Sequence, residues 1–206
     1  MSDPMHQVIQ DLFKIGGLKF GSFTLKSGIE SPIYIDLRIL VSHPTVMKSV
    51  AKEYAKLLEN LAYDRIAGVA YAALPIASAI SLELEQPWMY ARKELKGYGT
   101  NKQIGGEFHA GETIVVADDM VTDGESKLEA IKLFEAAGCT VKDVVILLDR
   151  DQGGKERLAE KGYVLHSVMT LTDALAHLRD IEYITAEEFE TTREFLANTR
   201  PDSVKK

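Results

Sequence analysis

At 206 residues and 46% hydrophobic content, the chain is sized for one domain with a sizeable core. Its 24 Lys and Arg against 31 Asp and Glu leave a net charge of −7 and a pI of about 5.3. That balance argues against a general nucleic-acid or anionic-membrane binder and obliges any phosphate site to gather its cations locally. No apolar run approaches the ~20 residues of a membrane span, and the first residues show no signal-peptide pattern. The one cysteine, Cys139, reads as a small apolar residue in a reducing compartment, so a soluble cytoplasmic protein is expected.

From His6 to about Ile15, the apolar residues Val8, Ile9, Leu12 and Phe13 recur at helical spacing, and Gly16-Gly17 stops that helix. Phe20, Phe23 and Leu25 around a Ser27-Gly28 turn suggest a small antiparallel hairpin, and residues 32–36 read as another strand. Pro44 opens a helix running to about Asn60, with Val46, Val50, Tyr54 and Leu57 inward. Residues 65–70 make a core strand, 74–84 a helix and 88–91 a short strand. The apolar pattern then breaks. Residues 92–106 combine Arg92, Lys93, Lys96 and Lys102 with Gly97, Gly99, Gly105 and Gly106, the composition of a mobile loop, and long loops inside compact domains are usually functional.

Residues 113–117, Thr-Ile-Val-Val-Ala, are an uncharged run long enough for a buried strand, and Asp118 and Asp119 follow where such a strand would emerge. Thr122-Asp123-Gly124-Glu125-Ser126 makes a tight polar turn into an amphipathic helix with Leu128, Ile131, Phe134 and Ala137 on one face. Amides at a helix start, aided by Thr122 and Ser126, suit an anionic phosphate. Two adjacent carboxylates can accept hydrogen bonds from vicinal hydroxyls such as a ribose offers. The plainer reading of this stretch is a βα connection with no ligand. Residues 141–148 are a second buried strand, ending in Asp149-Arg150-Asp151-Gln152-Gly153-Gly154. A helix through Lys161, a strand over 163–168 and acidic helices over 172–180 and 186–198 complete the chain.

Strands alternating with helices predict an α/β fold: a doubly wound, mostly parallel sheet flanked by helices on both faces, with ligands outside the C-terminal strand ends. Tyr71, Arg92, the 118–126 segment and Arg150 all fall on that edge. Arg150 can hold a carboxylate bidentately; its plainer role is an ion pair with Asp149 or Asp151. The five histidines, His6, His43, His109, His166 and His177, lack metal-ligand spacing.

With these segments side by side, the chain resembles the orotate phosphoribosyltransferases, most of all the form fused to a decarboxylase in UMP synthases. Four stretches carry the likeness: Phe-Gly-Ser-Phe-Thr-Leu-Lys-Ser-Gly at 20–28, Ala-Tyr-Ala-Ala-Leu-Pro at 70–75, Arg-Lys-Glu-Leu-Lys-Gly-Tyr-Gly at 92–99, and Leu-Leu-Asp-Arg-Asp-Gln-Gly-Gly at 147–154. The 118–126 segment alone resembles the phosphoribosyl-diphosphate (PRPP) signature of the wider type I phosphoribosyltransferases. The resemblance implies a single phosphoribosyltransferase domain over 1–206, with a core at about 60–170 and a small N-terminal hood or hairpin at about 1–40 joined by C-terminal segments.

The implied reaction is attack of orotate N1 on C1 of PRPP, giving orotidine 5′-monophosphate and diphosphate in pyrimidine biosynthesis. Its transition state is oxocarbenium-like, so the protein should stabilise departing negative charge. Lys96 and Asp119 are the implied catalytic residues. PRPP would meet Lys26, Tyr71, Ala72, Arg92, Lys93, Lys96, Tyr98, and the run Asp118, Asp119, Met120, Val121, Thr122, Asp123, Gly124, Glu125 and Ser126. Orotate would meet Lys26, Tyr34, Thr122 and Arg150. Magnesium is expected to arrive on PRPP rather than in a protein cage. The family pattern also implies a homodimer in which the 92–106 loop reaches the partner's site, and the fused form suggests a separate decarboxylase as a partner.

Three departures from the family pattern stand out. Asp123 and Glu125 occupy positions where small or hydroxyl residues are more usual. They are expected to face solvent, where repulsion costs only ~1 kcal/mol at ~4 Å and a helix start favours acids, with Lys127 as local compensation. Ala72 stands where many bacterial members have a lysine, and Tyr98 where they have a loop histidine. A tyrosine of pKa near ~10 can donate a hydrogen bond but is no base at neutral pH. Two other functions remain open from sequence: the same fold acting on a purine or other base, against which Arg150 discriminates, and a non-catalytic PRPP-sensing regulator, favoured only by Asp123 and Glu125.

Overall fold

In the computed structural model, which describes residues 3–25, 28–92 and 103–199, the chain opens with helix α1 (Pro4–Lys14). Asp3 starts it by accepting the Met5 N–H at 3.0 Å, and Pro4 brings a φ already suited to the first turn. Strands β1 (Leu18–Thr24) and β2 (Glu30–Ile35) pair antiparallel, Leu18 opposite Ile35 and Thr24 opposite Glu30. The strand expected over 32–36 is therefore the return arm of the hairpin and not a further element. Pro32 has no N–H to donate, and it falls in the irregularity between the Phe20–Ile33 and Phe23–Ser31 pairs. A 3-10 turn (Leu37–Ser42) leads to α2 (Pro44–Leu58). Met47, Val50, Ala51, Tyr54 and Leu58 are its buried apolar residues, while Val46 and Leu57 pack at the margin of the core.

Six strands form the main sheet: β3 (Arg65–Gly68), β4 (Trp88–Ala91), β5 (Ile104–Gly105), β6 (Thr113–Val121), β7 (Thr140–Asp149) and β8 (Val164–Thr170). Their order is β5-β4-β3-β6-β7-β8, parallel throughout except for the β4–β5 edge. Because β4 lies on one side of β3 and β6 on the other, the winding reverses between β3 and β6. The crevice beyond the C-terminal ends of that pair is where such folds take ligands. β5 is only two residues long and sits inside the stretch read as loop, too short to leave a pattern in the sequence.

Helices α3 (Ala73–Leu84), α4 (Glu125–Ala136), α5 (Gly154–Glu160), α6 (Leu171–Asp180) and α7 (Ala186–Asn198) complete the layers. Val115, Ala117, Val145 and Leu147 pack in one apolar cluster with α1, α2, α3, α6 and α7. Ile114, Val116, Val144 and Ile146 pack in the other with α4 and α5. Alternate residues of β6 and β7 are thus buried on opposite faces, which is why these strands read as continuous apolar runs. Phe134 of α4 is fully buried in the second cluster, and its truncation to Ala would cost about 3–5 kcal/mol. α7, opened by a Thr185–Glu188 capping box, lies against β2 and covers one side of the hairpin. Among the described residues, no helix is long and apolar enough to cross a membrane.

Candidate active site

β6 continues past the point where the sequence suggests a stop. Asp118, Asp119 and Met120 belong to the strand, with Asp118 opposite Ile146, Met120 opposite Leu148 and Val121 opposite Asp149. Aspartate is a poor strand former, but β7 is long enough to keep the parallel ladder going, and that pairing overrides local preference. Asp118 is 5% exposed. Its Oδ1 accepts the Asp119 N–H at 2.9 Å, and its Oδ2 lies 2.6 Å from Lys127 Nζ, itself buried. From the opposite side of the sheet, the buried Tyr54 hydroxyl of α2 donates to the Asp118 carbonyl at 2.6 Å. Asp119 is half-buried, and its Oδ1 accepts the Met120 N–H at 2.8 Å. Burial, and then the neighbouring Asp118 charge, push the Asp119 carboxyl up to about 7.

The turn after β6 is shaped by close packing. Val121 is fully buried, so its side chain belongs to the core and only its backbone is available to a ligand; its carbonyl accepts the Arg150 N–H at 3.0 Å. Gly124 has φ +80°, and a Cβ there would come within 3.2 Å of the Gly154 carbonyl oxygen. Gly154 faces the same squeeze from α5: a Cβ on it would lie 2.5 Å from Val121 Cγ2 and 2.9 Å from the Thr122 carbonyl oxygen. The turn is therefore moulded onto the start of α5.

Asp123 and Glu125 do turn outward, their side chains 48% and 46% exposed. The expectation about Lys127 needs correction. Arg157 of α5 is the cation that meets both acids: its Nη1 lies 3.6 Å from Asp123 Oδ2, and its Nη2 is paired with Glu125 Oε2. Lys127 sits two residues beyond Glu125, so on a helix it points to a different face, and there it reaches Asp118. The amide set differs too. The Glu125 N–H donates to Asp123 Oδ1 at 3.2 Å, so one donor expected to face an anion is satisfied within the turn.

Arg92 follows β4, its N–H bonded to the Gln103 carbonyl at 2.9 Å. It lines a cavity of about 300 Å³ together with Val69, Ala70, Ser126 and Glu129, joining the end of β4 to the start of α4. Tyr71 is exposed in the turn after β3, following a cis Ala70–Tyr71 peptide, and Ala72 leads into α3. Lys26, Lys93, Lys96, Tyr98 and Lys102 lie outside the described residues.

Arg150 stands at the end of β7. Burial lowers its affinity for its proton, and its Nε is buried with no hydrogen-bond partner among the described residues. The ion pairs weighed from sequence do not form there: Asp149 Oδ1 accepts the Asp151 N–H at 3.0 Å, and Asp151 Oδ2 accepts from Thr172 N–H and Oγ1 at 3.1 and 2.5 Å. Tyr34 of β2 is half-buried, its ring 5.6 Å from that of Phe23 and its hydroxyl accepting from Arg38 at 3.3 Å.

Lys127, Arg157, Gly154 and Tyr54 were not singled out as site residues by sequence reasoning. For Lys127 a signal existed: with Ile131 and Phe134 it falls at i, i+4 and i+7, the spacing of the apolar face. The Arg157 contact joins residues 32 apart and left none.

The phosphoribosyl transferase domain model matches residues 38–179. The chain is 40% identical over 194 residues to the orotate phosphoribosyltransferase of Pyrobaculum aerophilum, covering 94% of this chain and all of that protein. It is 38% identical over 186 residues to the bifunctional enzyme PyrF/PyrE of a Nostoc species, covering 90% of this chain but only 39% of that relative's length. Among solved structures, the UMP synthase of Leishmania donovani superposes with a TM-score of 0.87 at 44% identity, covering 94% of this chain and 42% of that one. Fold and sequence agree: the chain belongs to the orotate phosphoribosyltransferase family of the phosphoribosyl transferase domains.

Proposed function

We propose that the chain transfers the phosphoribosyl group of PRPP to N1 of orotate, releasing diphosphate and forming orotidine 5′-monophosphate for pyrimidine biosynthesis. The observation that carries this reading is the junction of two subsites. The Arg150 N–H is bonded to the Val121 carbonyl, immediately before the Thr122 turn, so a half-buried arginine whose Nε has no hydrogen-bond partner among the described residues adjoins the phosphate-type turn. A guanidinium with no ion pair among the described residues suits a carboxylated base, and orotate carries the carboxylate.

In this reading, the 122–126 turn and the start of α4 receive the 5′-phosphate, and Asp119 receives the ribose hydroxyls. Orotate is oriented by Arg150, with Tyr34 near the ring. Arg92, Lys93 and Lys96 stabilise the charge that builds on the departing diphosphate and exclude water from the oxocarbenium-like centre. Magnesium would be carried in on the diphosphate with its own water shell, and no group of three or more His, Cys, Asp or Glu among the described residues offers it a protein cage. When bound, the ion spreads the leaving group's charge. We further propose a homodimer whose 92–106 loop serves the partner's site, a cytoplasmic setting that suits the free, buried Cys139, and association with a separate decarboxylase. The outward turn of Asp123 and Glu125, and the Arg157 they share, weaken the case for a non-catalytic regulator.

Incubation with PRPP, magnesium and orotate, following loss of orotate absorbance, tests the proposal. Adenine, hypoxanthine and uracil serve as parallel acceptors. Turnover of orotate alone is expected; consumption of a purine with no use of orotate would overturn the assignment.

A further inference from the structure

Lys127 is an unusual residue for its place. It lies in the first turn of α4, where the helix dipole disfavours a cation, and it is 6% exposed, where lysine is rare. Taking an ammonium and a carboxylate out of water is expensive, so the 2.6 Å contact to Asp118 is a poor means of gaining stability alone. Its effect on the acid pair is specific. Both Asp118 oxygens are engaged, Oδ1 by the Asp119 N–H and Oδ2 by Lys127. Asp119 uses Oδ1 on the Met120 N–H, and in its protonated form its carboxyl can also donate to that of Asp118.

We propose, resting on the PRPP reading above, that Lys127 is a positioning residue that ties Asp118 to α4 and leaves Asp119 as the single carboxylate offered to the sugar hydroxyls. The adjacent acids are then not two equal arms of a clamp: one is an anchor and the other a ligand. The titratable groups acting on Asp119 are Asp118 on its own strand, Lys127 from α4 and Tyr54 from α2. Of these only Lys127 favours the ionised form of Asp119. Without it two like charges adjoin, and the pair keeps its last proton to higher pH.

The test compares wild type with Lys127→Met, Lys127→Arg and the double variant Asp118→Asn/Lys127→Met. Carboxylate titrations of the free protein by 13C NMR are paired with PRPP affinity. In Lys127→Met the last titration should move up by about one pH unit or more and PRPP affinity should fall at least about tenfold. Lys127→Arg should keep both near wild type. The double variant, which buries neither charge, should recover most of the affinity, because Asp118 is needed only to be held. A folded Lys127→Met with wild-type titration, or a double variant that binds PRPP no better than Lys127→Met, overturns the proposal. If Lys127→Met fails to fold, the double variant decides by itself: near-wild-type PRPP affinity supports the anchor role, and loss of binding refutes it. Wild type that binds no PRPP refutes the enzymatic reading instead, and the titrations, which need no substrate, still decide whether Lys127 governs the pair.

Discussion

Replacing Asp119 by Asn should stabilise the folded protein while abolishing its use of PRPP. In the unfolded chain this carboxyl titrates near ~3.9, whereas in the folded protein burial and Asp118 raise it to about 7. Between those values the native state binds more proton than the unfolded state, so stability falls as pH rises through that window and is level above it. A shift of about three pH units corresponds to ~4 kcal/mol at most. Solvent reaching the half-buried side chain reduces this, and about 1–3 kcal/mol is expected at pH near 8. Asparagine keeps an Oδ1 for the Met120 N–H, so the variant removes charge without orphaning that donor. Urea unfolding of both proteins at several pH values between about 4.5 and 8 is the assay. The curves should converge at the acid end and separate toward neutrality, the variant being the more stable. Equal stability at every pH, or a variant weaker at pH near 8, would refute the reasoning that Asp119 is held at an electrostatic cost.

Further outcomes are expected at Arg150, at Gly154 and across the proposed dimer. Arg150→Ala should raise the KM for orotate roughly thirtyfold or more by removing the carboxylate's partner; Arg150→Met should leave thermal stability unchanged or higher, since the guanidinium has no ion pair among the described residues to lose. Gly154→Ala should cost about 1–3 kcal/mol in unfolding experiments and raise the KM for PRPP, because the new methyl group meets Val121 and Thr122 and displaces the turn. Lys96→Ala and Asp119→Asn, each inactive alone, should recover about a quarter of wild-type activity on equal mixing and subunit exchange, as half the dimers then carry one intact site; mixtures that stay inactive would show self-contained subunits.

The rim of the sheet was legible because parallel strands deliver their C-terminal residues to one edge, so residues far apart in the chain could be placed together without knowing any contact. What escaped was set by partners remote in sequence. Asp118 and Asp119 look like a strand terminator until β7 is beside them. Lys127 reads as a neighbour of Glu125 until helix phase is counted, and Arg157 has no local tie to the turn it neutralises. The hairpin arm at 30–35 looked independent because the irregularity at Pro32 breaks the alternation that would have matched it to β1.

The position of β6 in the middle of the sheet bears on when this molecule becomes competent. One flank is zipped to a strand from well upstream and the other to a strand just downstream, and the acids sit just past the end of the first seam and near the end of the second. Joining the upstream strand closes a long stretch of chain, an entropic toll that makes such unions late events in assembly. Sugar-diphosphate recognition should therefore return only in the last kinetic phase of refolding, after most helical signal has reappeared. Stopped-flow circular dichroism beside ligand-induced fluorescence would reveal that lag, and simultaneous recovery would argue that the grip assembles locally.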